Sequence, residues 1–141
     1  DIRVAAEGSQ FGVPAAKLAL GYPFRSMKKI IDLVGPAKTK EIVFTGRRYS
    51  GEEALAMGLI NHLVPSDDLD KIVHELASTI AANAPLTILA TKVIVAEAAK
   101  DPNDRDIALC DQLVENCMLS EDYKEGRTAF MEKRPPMFKG E

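Results

Sequence analysis

The chain has 141 residues, of which 46% are hydrophobic and 28% are charged, and its formal net charge at pH 7 is −3. This balance excludes an intrinsically disordered chain, because enough apolar side chains are present to form a folded core. It also excludes a general binder of nucleic-acid phosphates, which needs a basic surface, and no apolar run reaches the ~20 residues that cross a bilayer. We therefore expect neither a nucleic-acid partner nor a membrane partner.

The start of the chain predicts short strands and then helices. The sequence DIRVAAEGSQFG predicts a pair of β-strands separated by a Gly-Ser break. The next stretch, FGVPAAKLALGYPF at residues 11–24, is mostly small and apolar and is typical of a pocket wall. Apolar residues at helical spacing then predict a helix that ends at Gly35, and Pro36 opens a second helix that stops at Gly46.

The character of the sequence changes at Pro65. Before it, SGEE at residues 50–53 predicts a capping box that starts a short helix, and LINHLV predicts a strand. After it, four helical patterns follow one another, the first of them strongly amphipathic. We predict an α/β (α+β) fold that is mostly helical, with a mixed region at residues 1–65 and a helical region at residues 66–141.

The two cysteines, Cys110 and Cys117, are seven residues apart in a helical pattern. Seven residues of helix rise by about 10.5 Å, whereas a disulfide needs Cα atoms within about 7 Å. We therefore predict two free, buried thiols in a reducing compartment. The predicted location is the cytoplasm, or the mitochondrial matrix if the source is eukaryotic.

The sequence does not predict a metal site. Neither His62 nor His74 has a cysteine, aspartate or glutamate at metal-ligand spacing. The paired acidic residues lie in first helical turns, where they stabilise the helix dipole.

Four stretches of the sequence together resemble a known family. They are DIRVAAEGSQFGVP, VGPAKTKEIVFTGRRYSGEEALAMGLINHLVP, NAPL and SEDYKEGRTAFMEKRPPMFKGE, and they cover nearly the whole chain in family order. In these stretches the chain resembles the C-terminal half of the crotonase superfamily, the enoyl-CoA hydratase/isomerase-like proteins. The resemblance implies the tail of a ββα spiral followed by a helical trimerisation region. It also implies that the chain is a fragment or the second half of a longer protein.

The same resemblance implies a lyase that acts on an acyl-CoA in fatty acid metabolism. Such enzymes stabilise a thioester enolate with two backbone N–H groups, which the resemblance places upstream of Asp1. Coenzyme A is part of the substrate, and no separate cofactor is implied. Hydratases of the family also use two glutamates, one of which follows the proline of an FGxP stretch. Here that position is Ala15, which argues against hydration because a methyl group moves no proton.

An alternative reaction follows from the stretch PAAKLALGYP, which resembles the methylmalonyl-CoA decarboxylases of the superfamily. In those enzymes a tyrosine of this loop lies beside the substrate carboxylate, and Tyr22 occupies that position. Arg25, one helical turn further on, would add positive charge. Pro23 and Phe24 depart from the small, glycine-rich sequence that many relatives have in this loop.

The last helix carries the other predicted site residues. In similar enzymes the face represented here by Phe130 and Lys133 covers the adenine end of coenzyme A, and the two residues are three apart. The resemblance also implies a homotrimer or a dimer of trimers, or pairing with an N-terminal half. A second alternative is a non-catalytic CoA-binding or assembly fragment, and we expect the isolated chain to be inactive.

Overall fold

Strand pairing near the start of the chain joins segments that are far apart in sequence. In the computed structural model, which describes residues 1–141, β1 (Val4–Ala6) pairs in parallel with β4 (His62–Val64). Strand β2 (Gln10–Phe11) pairs antiparallel with β3 (Tyr49–Ser50). The two strands separated by the Gly8-Ser9 break form as predicted, but they belong to two different sheets and do not pair with each other. A helical crossover, which parallel strands require, brings β4 back to β1.

Helix α1 (Phe24–Thr45) contains the predicted break. Gly35 has a φ of 76° and a ψ of 167°, so the chain leaves the helical conformation there and resumes it at Pro36. Proline is tolerated because the first turn of a helix needs no partner for that nitrogen. Gly46 then ends the helix in the left-handed conformation, and its N–H donates to the carbonyl of Ile42 at 3.1 Å. The predicted break and stop are confirmed.

The predicted capping box starts α2 (Gly51–Ala56). The N–H of Glu53 donates to Ser50 Oγ at 3.3 Å, and the N–H of Ser50 donates to Glu53 Oε2 at 2.8 Å. The helix thus places Ala54, which is fully buried, in a small core with Ala5 and Ile60.

After a 3-10 turn at Ser66–Asp68, helix α3 (Leu69–Ala81) contains the division between two compact units. Unit 1 is Asp1–His74 and unit 2 is Glu75–Glu141. The boundary predicted after residue 65 lies before this division and stays a prediction.

Unit 2 contains three further helices, which are α4 (Pro85–Ala98), α5 (Ile107–Leu119) and α6 (Glu121–Glu132). A 3-10 turn at Pro102–Asp104 joins α4 to α5, and these two helices pack against each other. The buried carboxylate of Glu97 accepts the backbone N–H of Asp106 at 2.9 Å and the ammonium of Lys100 at 2.6 Å. It thereby fixes the start of α5. The predicted mostly helical α/β architecture is confirmed.

Many apolar side chains of unit 2 are exposed. No residue of α5 is buried, and the apolar side chains of unit 2 with the highest exposed fractions are Val95, Met118, Leu119, Phe130, Met131 and Met137. Cys110 and Cys117 are free thiols, as predicted, but they are half-buried rather than buried. No single helix is long and apolar enough to cross a membrane, although one strongly bent pair, Ser66–Ala81 with Pro85–Ala98, meets the length and composition criteria together.

Candidate functional site

Ala15 lies in a short 3-10 helix, Pro14–Leu18, which Gly12 and Val13 connect to β2. Pro14 starts this turn, and the Ala15 carbonyl accepts the N–H of Leu20 at 3.0 Å where the turn ends. The residue is only 2% exposed. The position therefore offers a buried methyl group, and a carboxylate placed there would have its pKa raised by desolvation.

The chain between this turn and α1 carries the other residues predicted for the reaction. Ala19 adopts the left-handed conformation, with a φ of 52°, and the flanking side chains of Leu18 and Leu20 are exposed. Tyr22 is 40% exposed, and Arg25 lies in the first turn of α1 with its side chain in solvent. Neither Tyr22 nor Arg25 makes a hydrogen bond or ion pair within the chain, so both polar groups are available to a ligand.

Ala15 and Tyr22 differ in their surroundings. Ala15 is buried and Tyr22 is at the surface, and neither lines any of the three cavities described for the chain. Within this chain alone, the two residues predicted to share a pocket wall are not brought into one cavity.

Unit 1 has a cavity of about 600 Å³ whose lining contains three cationic side chains and no carboxylate. We call it the basic cavity. It is formed where the end of β2 and the 3-10 turn meet the loop after α1, and its lining is Gln10, Phe11, Gly12, Pro14, Lys17, Gly46, Arg47 and Arg48.

A polar network supports the wall of the basic cavity at Arg47. The guanidinium lies over the ring of buried Tyr49, with 3.6 Å to the ring centroid, and pairs with Glu53 at 2.9 Å and Glu41 at 3.5 Å. The backbone N–H of Ser50, followed by Arg47, lowers the pKa of Glu53, and Lys38 is the main cause of the lowered pKa of Glu41. Both carboxylates are therefore ionised at neutral pH and committed to this network.

Unit 2 has an apolar cavity of about 650 Å³. Side chains of α4, α5 and α6 line it together with Phe138 of the C-terminal segment. Two of the lining residues are Phe130, which is 82% exposed, and Arg127, whose guanidinium lies 5.8 Å from the ring centroid of Tyr123. We call this the apolar cavity.

The relation between Phe130 and Lys133 differs from the one predicted. Helix α6 ends at Glu132, and Lys133 is in the left-handed conformation with a φ of 55°. The two residues therefore do not share a helical face, because a left-handed residue turns the chain out of the helix. Lys133 directly follows α6, and its side chain is exposed. The helical pattern gave no sign of this end because lysine is a good helix former.

Two carboxylates of α6 hold the C-terminal segment in place. Buried Asp122 accepts the backbone N–H groups of Lys139 at 2.7 Å and Gly140 at 2.8 Å. Glu125 accepts hydrogen bonds from the two terminal guanidinium nitrogens of Arg134, at 2.6 and 2.9 Å, and from the N–H of Met137 at 2.8 Å. Arg134 and this N–H lower the pKa of Glu125 to about 2. We call these contacts the C-terminal clamp.

No group of three or more histidine, cysteine, aspartate or glutamate side chains is placed to hold a metal ion. The basic cavity was not recognised from the sequence, since its cations come from separate segments. The adjacent pair Arg47 and Arg48 was its only visible sign.

The chain matches the family described as enoyl-CoA hydratase/isomerase over residues 1–141. It is 36% identical over 144 residues to a carnitinyl-CoA dehydratase of Salmonella typhi, covering 99% of this chain and 55% of that protein. It is 31% identical over 134 residues to a short-chain-enoyl-CoA hydratase of Clostridium acetobutylicum, covering 95% and 51%.

Solved structures agree with these sequence matches. The crystal structure of an enoyl-CoA hydratase/carnithine racemase from Magnetospirillum magneticum superposes with a TM-score of 0.92 at 35% identity, covering 100% of this chain and 52% of that one. The chain thus spans about half the length of the proteins that it matches.

Proposed function

This chain belongs to the enoyl-CoA hydratase/isomerase family of the crotonase superfamily, and we propose that it supplies one wall of an acyl-CoA site in a longer enzyme. The enzyme would act as a lyase on the acyl thioester through an enolate. The whole-chain family match supports the substrate class. The chain spans about half the length of each relative, which supports its place in a longer enzyme.

The enolate step needs hydrogen-bond donors aimed at the thioester oxygen, which stabilise the charge that develops there. We assign no residue of this chain to that role, because the resemblance places those donors upstream of Asp1. Without them the 141-residue chain should bind coenzyme A without turning over an acyl-CoA.

The alanine at position 15 supports a reaction other than hydration. Hydration needs a group that transfers protons at this position, and such help is worth ~10²–10⁴-fold in rate. Ala15 is 2% exposed and offers hydrocarbon only. The reaction that suits this wall is therefore one that needs no base here, and hydration is disfavoured.

Decarboxylation of a methylmalonyl-CoA-type substrate is such a reaction. It needs a donor that holds the departing carboxylate, and the Tyr22 hydroxyl has no partner within the chain. Arg25 pairs with no carboxylate of the chain. Its guanidinium, three residues after Tyr22 in the sequence, would add positive charge. A poorly solvating wall at Ala15 would favour loss of the carboxylate, because carbon dioxide is uncharged and the carboxylate is not.

We also propose that Phe130 and Lys133 contact the adenine end of coenzyme A. Phe130 is 82% exposed, which leaves its ring free to stack on a base. Exposed apolar groups on unit 2 support assembly as a trimer or dimer of trimers, since a soluble protein rarely leaves a large apolar surface uncovered. If the chain instead acts alone, a non-catalytic CoA-binding role fits the same features.

The test is to supply the complete enzyme with crotonyl-CoA and methylmalonyl-CoA in parallel. We expect carbon dioxide release from methylmalonyl-CoA and little hydration of crotonyl-CoA. Tyr22→Phe, which removes only the hydroxyl, should lower the decarboxylation rate. Rapid hydration of crotonyl-CoA with no decarboxylation would reject the proposed reaction.

A further inference from the structure

We propose that the basic cavity of unit 1 is a binding site for a phosphoryl anion, either a phosphate monoester or inorganic phosphate. The proposal does not depend on the acyl-CoA chemistry above, because neither Ala15 nor Tyr22 lines this cavity. It rests on which of the cavity's positive charges remain uncompensated and on how the backbone holds them.

Two of the three cations in the basic cavity have no carboxylate partner. Arg47 is compensated by Glu41 and Glu53. Arg48 donates to the neutral side-chain oxygen of Gln10 at 3.3 Å, and Lys17 makes no hydrogen bond or ion pair. About two uncompensated positive charges therefore line the cavity, whose other lining residues are neutral apart from Arg47, which is compensated.

Glycine at two positions keeps the cavity open and holds the lysine. A Cβ at Gly46 would lie 3.2–3.4 Å from three carbons of the Lys17 side chain, so the Lys17 side chain packs directly against the backbone of Gly46. A Cβ at Gly12 would lie 2.8 Å from the carbonyl oxygen of Arg47. The end of β2 and the loop after α1 are thus in backbone contact, and this contact fixes the spacing of the segments that carry the cations.

The charge and shape of the site favour a phosphoryl group over a carboxylate. A phosphate monoester carries a charge of about −1.5 to −2 at neutral pH, which matches the two uncompensated cations, whereas a carboxylate carries one. A guanidinium donates two parallel hydrogen bonds to phosphate oxygens, and an ammonium adds a mobile point charge. The net charge of −3 favours a small anion over a nucleic acid, since the basic surface is only local.

The test is a titration of the ¹⁵N-labelled 141-residue chain with sodium phosphate at constant ionic strength. We expect saturable shifts of the Gly12, Gly46 and Arg48 amide signals. Acetate should produce no saturable shift at the same concentrations. Glycerol 3-phosphate separates the two sources: tighter binding than phosphate identifies a monoester site, and equal binding identifies a site for the free anion.

Variants locate the site. Lys17→Met and Arg48→Met should each weaken phosphate binding by about tenfold, the effect of losing one charge-assisted hydrogen bond. Lys71→Met removes an exposed lysine of α3 outside the cavity and should leave the affinity within about twofold. Unchanged amide spectra away from the cavity show that each variant is folded. Equal affinity in all three variants, equal binding of acetate, or no saturable shift would overturn the proposal.

Discussion

Units 1 and 2 bury different kinds of side chains. In unit 1 the buried set is mostly apolar and includes Ile42, Tyr49 and Ile60. In unit 2 the only buried apolar residues are Ala90 and Ala129, and the buried polar residues are Glu97, Ser120 and Asp122. In unit 2, buried polar groups thus hold helix ends and the C-terminal segment, while the larger apolar side chains are half-buried or exposed.

The two units therefore depend on different interactions for their stability. Unit 1 depends on backbone conformations that particular residues permit, as at Gly35, Gly46 and Ala19. Unit 2 depends on carboxylates that accept backbone N–H groups, as at Glu97 and Asp122. Removing a carboxylate should therefore affect unit 2 most, and changing a backbone preference should affect unit 1 most.

The largest effect is expected for Asp122→Ala. The substitution leaves two N–H groups of the C-terminal segment without their charged acceptor and should destabilise unit 2 by about 3 kcal/mol. Hydrogen exchange at the Ala129 amide measures the change. The matched control is Glu121→Ala, whose side chain is 71% exposed and which should change stability by less than about 0.5 kcal/mol. Equal effects of the two variants would contradict the described role of Asp122.

The next effect is expected for Gly35→Ala in unit 1. A Cβ at Gly35 meets no atom within 4 Å, so the cost comes only from its φ of 76° and should be about 2 kcal/mol. Gly21 also has open space around a Cβ but does not have a positive φ. Gly21→Ala should therefore be neutral or slightly stabilising. Because neither position is crowded, denaturant unfolding of the two variants isolates the cost of backbone strain at Gly35. Equal stabilities of the two variants would contradict that cost.

A smaller effect of opposite sign is expected for Ala19→Gly. Ala19 is a non-glycine residue in the left-handed region, which costs about 1 kcal/mol that glycine does not incur. Glycine also gains freedom in the unfolded chain, so the net stabilisation should be about 0.5 kcal/mol. A rise in the unfolding midpoint measures it. A fall would show that the turn after Ala15 is not strained.

The smallest effect is local and depends on pH. Arg134 and the N–H of Met137 lower the pKa of Glu125 from 4.5 to about 2 in the folded chain. Because this pKa is depressed, the stabilisation by Glu125 is fully present above about pH 4.5 and is lost as the pH falls through about 2. The Met137 amide should therefore exchange faster as the pH falls in that window, relative to its intrinsic rate. Glu125→Gln should remove this dependence, and a dependence that survives would place its origin elsewhere.

The features that the sequence predicted correctly depend on neighbouring residues. The capping box at Ser50 and Glu53 and the helix break at Gly35 and Pro36 each involve residues within one helical turn. The partner of β1 was not predictable in this way, because β4 lies more than fifty residues later and the choice depends on tertiary packing.

The candidate sites were likewise predictable only where neighbouring residues define them. Ala15, Tyr22 and Phe130 were identified from short stretches that resemble a family, but their burial and exposure required the fold. The basic cavity joins Lys17 to Arg48 through a contact with Gly46, and the C-terminal clamp joins Asp122 to Gly140. In neither case does a local pattern connect the residues. The left-handed conformation of Lys133 was also hidden, since its sequence continues the helical pattern.

We propose that the buried methyl group of Ala15 prevents hydration, and substitution of that residue is the sharpest test. Crotonyl-CoA hydration should be measured for the complete enzyme with Ala15, with Ala15→Glu and with Ala15→Gln, which has the size of glutamate without its proton-transfer group. We expect the hydration rate to be at least ~10²-fold higher for Ala15→Glu alone. Hydration that is already fast with Ala15 and is unchanged or slowed by Ala15→Glu would contradict it.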